Sequence, residues 1–549
     1  MDTQRLILLF IFSFSLLMLW EAWERESRPK PSSPAPSVAQ QGVPPPAKPV
    51  EAAKPPASSI PAPAQSGKSA ETARVTTDLI VAEVSSTGGT LSRLELIRHK
   101  DSADRTKNMV LLGPAHHYEA QTGITGDAGP NHRSEWRIEP GDRVLAPGQD
   151  AIELHLTASG RDGLEVEKVY TFRRNSYVID VALRLRNATS SPLSTYAYFQ
   201  LTHDGKRAAD ADTIAQQFGA QSYTGFAVFS EARKFEKVAP SDIDEGAPSH
   251  VAQADNGWLA FVQHYFVSAW LPPQGTNRDY VFEKRQDGTY AGRVLIPASV
   301  APGETSSVSV PLYAGPQEQG RLEAAAPGLE LVVDYGFLTI IAWPLFWLLE
   351  KFHALSGNWG VAIILLTVLI KLVFFPLSAA SYKSMAKMKL ITPRLTKIRE
   401  AYAHDRQKMN QAMMELYKTE KINPLGGCFP ILVQIPVFIA LYWVLLAAIE
   451  LRHAPFMLWI EDLSALDPYY VLPILMSATM VLQMRMNPTP PDPVQAKVMK
   501  AMPFVFSVFF FFFPAGLVLY WLVNNILSIL QQWQIQRMFD RDKPAHAKR

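Results

Sequence analysis

Residues 359–380 read WGVAIILLTVLIKLVFFPLSAA, an apolar stretch broken by one charge, Lys371. About 20 apolar residues match the hydrocarbon thickness of a bilayer, so this segment predicts a membrane span. A cation well inside a span costs about 2.5–3.5 kcal/mol on insertion scales, and such residues usually face protein or water and mark a functional site. The alternative is that the lysine stem snorkels past Pro376 to the headgroups.

Working outward, residues 428–449 and 469–486 predict two further spans. The apolar stretch 498–534 would extend about 55 Å as one helix, at about 1.5 Å per residue, against a hydrocarbon core of about 30 Å. Pro514-Ala515-Gly516 near its middle predicts a break into spans 498–513 and 517–534. Residues 337–349 are too few to cross and end at Glu350-Lys351, which predicts a helix lying in the interface, within a segment 329–357. At the other end, LILLFIFSFSLLMLW (6–20) follows Arg5 with no small-x-small cleavage site after it. An uncleaved signal-anchor over residues 1–26 is expected.

Charge orients these spans. Segment 381–427 carries ten Lys/Arg against four acids, and five more basic residues follow position 536, whereas the 450–467 loop holds only Arg452. The positive-inside rule puts the first two in the cytoplasm and the loop outside. Six spans result, with both termini cytoplasmic and residues 24–358 periplasmic.

That large outer segment has two parts. Residues 27–72 hold twelve prolines among Ala, Ser, Gln and Lys, a composition that predicts a disordered tether. Residues 73–328 read as β structure: Ile179, Val181, Leu183 and Leu185 alternate with Asp180, Ala182, Arg184 and Arg186. The runs around Leu154 and Val310 repeat the pattern, and Thr87-Gly88-Gly89, Arg161-Asp162-Gly163 and Gln286-Asp287-Gly288 supply turns. About 250 such residues suffice for a large antiparallel sandwich.

A net charge of +2 excludes no membrane role and gives no case for nucleic-acid binding. Cys428 stands alone, so no internal disulfide is possible, and it reads as a small residue at a helix start. His116-His117 reads as a solvated loop. No metal-spaced cluster, phosphate loop, nucleophile elbow or Walker motif is present, so neither a cofactor nor enzymatic chemistry is expected.

The candidate site gathers around Lys371. Thr367 lies one turn back on its face, Gln434 falls early in the 428–449 span, and Asn524, Asn525 and Ser528 fall in the last one. Polar groups at one depth in several spans predict a wet cavity open to the cytoplasm, although each alone also serves helix–helix bonding. In 381–427, Met385, Met388, Met409 and Met413 join Ile391, Leu395 and Leu416 at helical spacing. They predict a basic amphipathic hairpin, either a substrate surface or a self-packed cap on anionic lipid.

Several stretches resemble the YidC family of membrane protein insertases of Gram-negative bacteria. They are GNWGVAIILLTVLIKLVFFPL (357–377), SMAKMKL (384–390), KINPLGGCFPILVQIPVFIALYWVL (421–445), ELRHAPFMLWIEDLSALDPYYVLPILM (450–476), FPAGLVLYWLVNNILSI (513–529) and, in the outer domain, DNGWLAFVQHYFVSAWLP (255–272). The resemblance covers nearly the whole chain and is weakest in the tether. It implies a polytopic α-helical bundle with a five-helix core (358–536) after the N-terminal span, and a periplasmic all-β supersandwich resembling sugar mutarotases. A basic cytoplasmic tail (537–549) completes the chain.

The function so implied is insertion of nascent membrane proteins through a hydrophilic groove open to cytoplasm and lipid, without nucleotide, alone or with the Sec translocon. The ribosome and membrane lipids are the other implied partners. The groove would hold Lys371 where relatives usually carry arginine, and would thereby lack arginine's two-pronged grip on a carboxylate. A greasy slide for the client would run past Ile435, Phe438, Phe509, Tyr520 and Trp521, the last replacing a common tyrosine.

Overall fold

The computed structural model describes residues 71–126, 129–160, 163–206, 223–246, 248–420, 429–487 and 493–541. The expected N-terminal anchor, the tether up to residue 70, Cys428 and the tail beyond 541 lie outside the described residues. The chain divides into a β unit ending at Val333 and a helical unit from Asp334.

In the β unit, the alternation read at 179–185 is the inner face of strand Val178–Asn187, whose Ile179, Val181, Leu183 and Leu185 are fully buried. Its outer residues pair across neighbouring strands, Arg184 with Glu167 at 3.1 Å and Arg186 with Glu165 at 3.2 Å. These exposed pairs fix register more than they stabilise, at about 0.2–1 kcal/mol each.

Two nine-stranded antiparallel sheets result. One runs Thr72–Thr76, Ile80–Ser85, Thr90–Lys100, Glu119–Ile124, Leu193–His203, Tyr290–Val300, Arg278–Lys284 and Gln253–Ala254, with Asn108–Leu112 paired to the third. The other runs Lys234–Val238, Gly225–Ser230, Trp258–Val262, Phe266–Trp270, Thr305–Pro316, Val178–Asn187, Leu164–Arg173, Ala151–Ser159 and Arg137–Ile138. Thr305–Pro316, last in sequence, is central in space, bonded to Phe266–Trp270 on one side and Val178–Asn187 on the other.

Aromatic contacts join the sheets, with Phe199 against Trp270 at 5.2 Å and Phe226 against Phe282 at 5.5 Å. Lys168 also crosses between them, fully buried. Its ammonium donates to the carbonyls of Gly88 (2.7 Å), Gly89 (3.1 Å) and Thr122 (3.1 Å) and sits 4.2 Å over the Trp136 ring. Carbonyl dipoles and a π face satisfy this cation in place of a carboxylate. Gly88 adopts φ +75°, and a Cβ there would run into the His132 backbone, so the turn requires glycine.

The helical unit has eight helices among the described residues: α1 Thr339–Ser356, α2 Trp359–Val373, α3 Phe375–Ala401, α4 Arg406–Thr419, α5 Phe429–Ala447, α6 Val471–Met486, α7 Pro493–Phe510 and α8 Ala515–Arg541. α1 runs through Glu350-Lys351 to Ser356, seven residues past the end of the apolar run at Leu349, and stops at Gly357 with φ +66°. It buries Ala342, Leu345, Phe346 and Leu349 against α2 and α5, leaving Ile340, Trp343 and Trp347 exposed on another face.

The span expected over 359–380 is not one helix. It bends by 65° at Phe374, and α3 leads from Phe375 into the hairpin, six residues before 381. Pro376 explains the break: it lacks an N–H and disfavours helical geometry in the preceding residue, but is tolerated in a first turn. Among the described residues no single helix is long and apolar enough to cross a membrane, while α2 and α3 together pass that test.

The long apolar stretch divides between α7 and α8, with the break at residues 511–514. Backbone bonds hold it to the preceding loop, Ala515 N–H to Ala465 O at 2.7 Å and Gly516 N–H to Leu463 O at 2.9 Å.

Candidate functional site

α2 is anchored at its start by Asn358, whose Oδ1 accepts the Val361 N–H (3.1 Å) while its Nδ2 donates to Phe456 O (2.8 Å). One face of the helix then carries Gly360, Ile363, Thr367 and Lys371 inward at helical spacing, all buried. Lys371 is only 5% exposed, so its stem does not reach solvent within the unit. Its Nζ donates to Ser528 Oγ on α8 at 2.8 Å, and that hydroxyl donates to Asn524 O at 2.7 Å. No carboxylate among the described residues pairs with the ammonium.

The other expected groove residues divide. Thr367 is buried at Lys371's side of α2, but its hydroxyl donates to Ile363 O at 2.6 Å, a bond inside its own helix. Asn525 is buried and points its Nδ2 at Met476 Sδ of α6, 3.4 Å away. Asn524 takes part through its carbonyl, and Gln434 lies half-buried on α5 without a hydrogen bond to Lys371.

Two residues that the sequence reading missed extend the polar row on α8. Gln532 donates to Asn487 Oδ1 at 3.1 Å, and the Oε1 atoms of Gln531 and Gln532 are buried without a hydrogen-bond partner. Their offset of three and four residues from Ser528 is the signal that identifies them.

Three of the five expected slide residues, Phe438, Tyr520 and Trp521, meet one another. Phe438 of α5 packs edge-on against Trp521 (4.5 Å) and near Tyr520 (6.1 Å), and Phe510 of α7 packs on Trp521 at 5.4 Å. Phe510, buried at 4% exposure, joins this cluster where Phe509 was expected; Phe509 and Ile435 are half-buried. A cleft of about 410 Å³ opens between α6 and α7, lined by Ser477, Val481, Leu482, Arg485, Phe504 and Ser507.

In the hairpin, Met388 and Met413 pack on Ile391 and Leu395 together with Leu416 and Tyr417, and Arg394 bridges to Glu420 at 2.6 Å. These contacts pack part of the hairpin's apolar stripe on itself. Met385 and Met409 are half-buried.

The reading of His116-His117 as a solvated loop needs correction at His116. It ends a short 3-10 turn, Pro114–His116, and its Nδ1 faces both oxygens of Asp204 at 3.3 Å. His203 lies alongside, so a His/His/Asp cluster exists where no metal spacing was visible in sequence.

Residues 351–543 match the family model described as 60Kd inner membrane protein, and residues 72–348 match the one described as YidC periplasmic domain. The membrane protein insertase YidC of Aromatoleum aromaticum is 51% identical over 549 residues, covering 99% of each chain. That of Methylobacillus flagellatus is 52% identical over 553 residues, covering 98% of each. A solved structure of an active YidC insertase with its first transmembrane domain resolved aligns over 84% of this chain and 92% of its own, at 17% identity and a TM-score of 0.40.

Proposed function

The chain belongs to the YidC family of membrane protein insertases, which are not enzymes, and from that premise we propose how its residues move a nascent segment into the inner membrane. The observation that carries the proposal is Lys371, a buried cation with a hydroxyl for a partner and no carboxylate among the described residues. A charge left so nearly unpaired attracts an acidic group that enters beside it.

The hydrophilic outer end of a client enters from the cytoplasm among Lys371, Ser528, Asn524, Asn525 and Gln434, with Thr367 shaping the wall. Gln531 and Gln532 add the buried acceptors described above. Polar groups at this depth lower the barrier that hydrocarbon alone presents to a peptide backbone. The client's apolar segment leaves along α5, α7 and α8 past Ile435, Phe438, Phe509, Tyr520 and Trp521. The clustering of Phe438, Tyr520 and Trp521 supports a continuous aromatic surface there. Burial of about 20 apolar residues in lipid drives the step, so nucleotide hydrolysis is not required.

The six-span topology, with the β unit periplasmic and both termini cytoplasmic, belongs to the same proposal. α1 is its interfacial helix, supported by the exposed Ile340, Trp343 and Trp347. The hairpin receives the chain from the ribosome and rests on anionic lipid, and insertion proceeds alone or beside the Sec translocon.

Photo-crosslinkers at positions 438 and 521, presented to stalled ribosome–nascent chains, test the route. Adducts to the client's apolar segment at both positions are expected. A blank at both, with insertion intact, would remove the slide.

A further inference from the structure

The His116, His203 and Asp204 cluster lies in the β unit, apart from every residue used above. Its parts are far apart in sequence and are brought together by backbone bonds. Asp204 N–H donates to His116 O at 2.9 Å, and Thr202 Oγ1 donates to His117 O at 3.0 Å. His203 ends strand Leu193–His203, with Asp204 directly after it.

The side chains converge without closing on each other. His116 Nδ1 lies 3.3 Å from each Asp204 oxygen, and His203 Nδ1 lies 3.3 Å from Asp204 Oδ1. A charge-assisted N–H···O bond is shorter, about 2.7–2.9 Å. One ligand atom from each of the three residues falls within 4.8 Å of the others. Metal–ligand bonds of about 2.0–2.1 Å around a tetrahedral Zn2+ place ligand atoms about 3.3–3.4 Å apart. Two of the three edges therefore already have that length.

His203 Nδ1 accepts the Gly205 N–H at 2.9 Å, which makes it a lone pair, yet it also faces a carboxylate oxygen. Asp204 Oδ1 for its part accepts the Lys206 N–H at 2.9 Å, so its second lone pair and the Nδ1 of His203 face one another across 3.3 Å. The ring of His203 is fully buried, stacked 4.1 Å from Phe261 and met edge-on by Tyr118 at 5.0 Å, which holds it in one orientation. His116 stacks parallel to it at 5.4 Å and is about one-third exposed, which provides an entry path and leaves room for water as a further ligand.

We propose that His116, His203 and Asp204 form a binding site in the β unit for one divalent transition-metal ion of the Zn2+ class. The ion displaces the Gly205 amide from His203 and ties the 3-10 turn to the end of the strand. It is a structural site, independent of client insertion.

The test uses full-length, tag-free protein in detergent, stripped with EDTA and titrated with Zn2+ by calorimetry and elemental analysis. One equivalent per chain at micromolar or tighter affinity is expected. His116→Ala and Asp204→Asn should each weaken binding at least about ten-fold, in keeping with the sensitivity of metal sites to lost partners. Co2+ in place of Zn2+ should give the strong visible bands of a tetrahedral site, absent in both variants. Both variants leave His203 in its apolar setting, and their metal-free unfolding temperatures check that they fold; a variant that fails is replaced by His116→Asn. Sub-stoichiometric Zn2+, or binding unchanged in folded variants, would overturn the site and leave a simple His116–Asp204 hydrogen bond.

Discussion

Lys371→Met separates the charge of the proposed groove from its structure. Methionine keeps an unbranched stem and removes the ammonium. Ser528 retains its bond to Asn524 O at 2.7 Å, so no new buried orphan is created. The lost bond to a charged donor is worth about 1.5–3 kcal/mol, while relief from burying the cation returns about 2.5–3.5 kcal/mol. The two nearly cancel, so the unfolding midpoint in detergent should move by only a few degrees, upward if at all. A client carboxylate about 4 Å from the ammonium gains about 1 kcal/mol in water-like surroundings and about 4 kcal/mol at an effective dielectric of about 20. Even the lower figure is about five-fold in rate.

The assay is insertion into proteoliposomes containing the purified protein, scored by protease protection, with clients whose leading tails are acidic or neutral. Lys371→Met should slow acidic tails at least about five-fold and spare neutral ones. Lys371→Arg should insert both. Equal rates for wild type and Lys371→Met on acidic tails, or the same loss for both tails, would refute the electrostatic role.

The β unit should weaken in acid, and part of that loss is traceable to His132. Burial first, and then Arg285 beside it, hold His132 down to about 3, so it is neutral in the fold and its contribution is fully present above about pH 6.5. That contribution falls by about 1.4 kcal/mol per pH unit between about 6.5 and 3, and chemical denaturation of His132→Gln should show a shallower pH slope than wild type. Leu395→Ala removes a side chain buried to 1% in the hairpin seam and should cost it about 2–4 kcal/mol, read as faster trypsin cleavage within 383–418. For topology, Leu458→Cys, 82% exposed, should react with an impermeant maleimide from outside, and Glu400→Cys only after permeabilisation; the reverse pattern would invert the assignment. Position 460, though in the same loop, is 3% exposed and unsuited to this test.

What was legible in sequence depended on how local its cause was. The alternation at 179–185 needs only the pleat of a strand, and it names the buried residues correctly. The Pro514 break likewise follows from one residue's geometry. Lys371 stood out as a charge, but its partner Ser528 is 157 residues away, and nothing local separates a hydroxyl that holds the lysine from one that holds a helix. Gln531 and Gln532 lay at readable spacing from Ser528 and were obscured by the end of the apolar run. The bend at Phe374 was written in Phe-Phe-Pro, where apolar content masked what proline does to its neighbour. His116 and Asp204, 88 residues apart, meet only because a turn lies against a strand end.

The central position of strand Thr305–Pro316 has a consequence for synthesis. The chain emerges from its N-terminus, yet the strand joining the two halves of the second sheet is the last to appear. Until then Phe266–Trp270 and Val178–Asn187 each present an open edge, a state prone to mispairing. The outer domain therefore cannot close while its own C-terminal end is still being made. By the time it closes, all of the domain's strands have been synthesised, and the short helix Gln319–Ala325 is the next to emerge, ahead of α1.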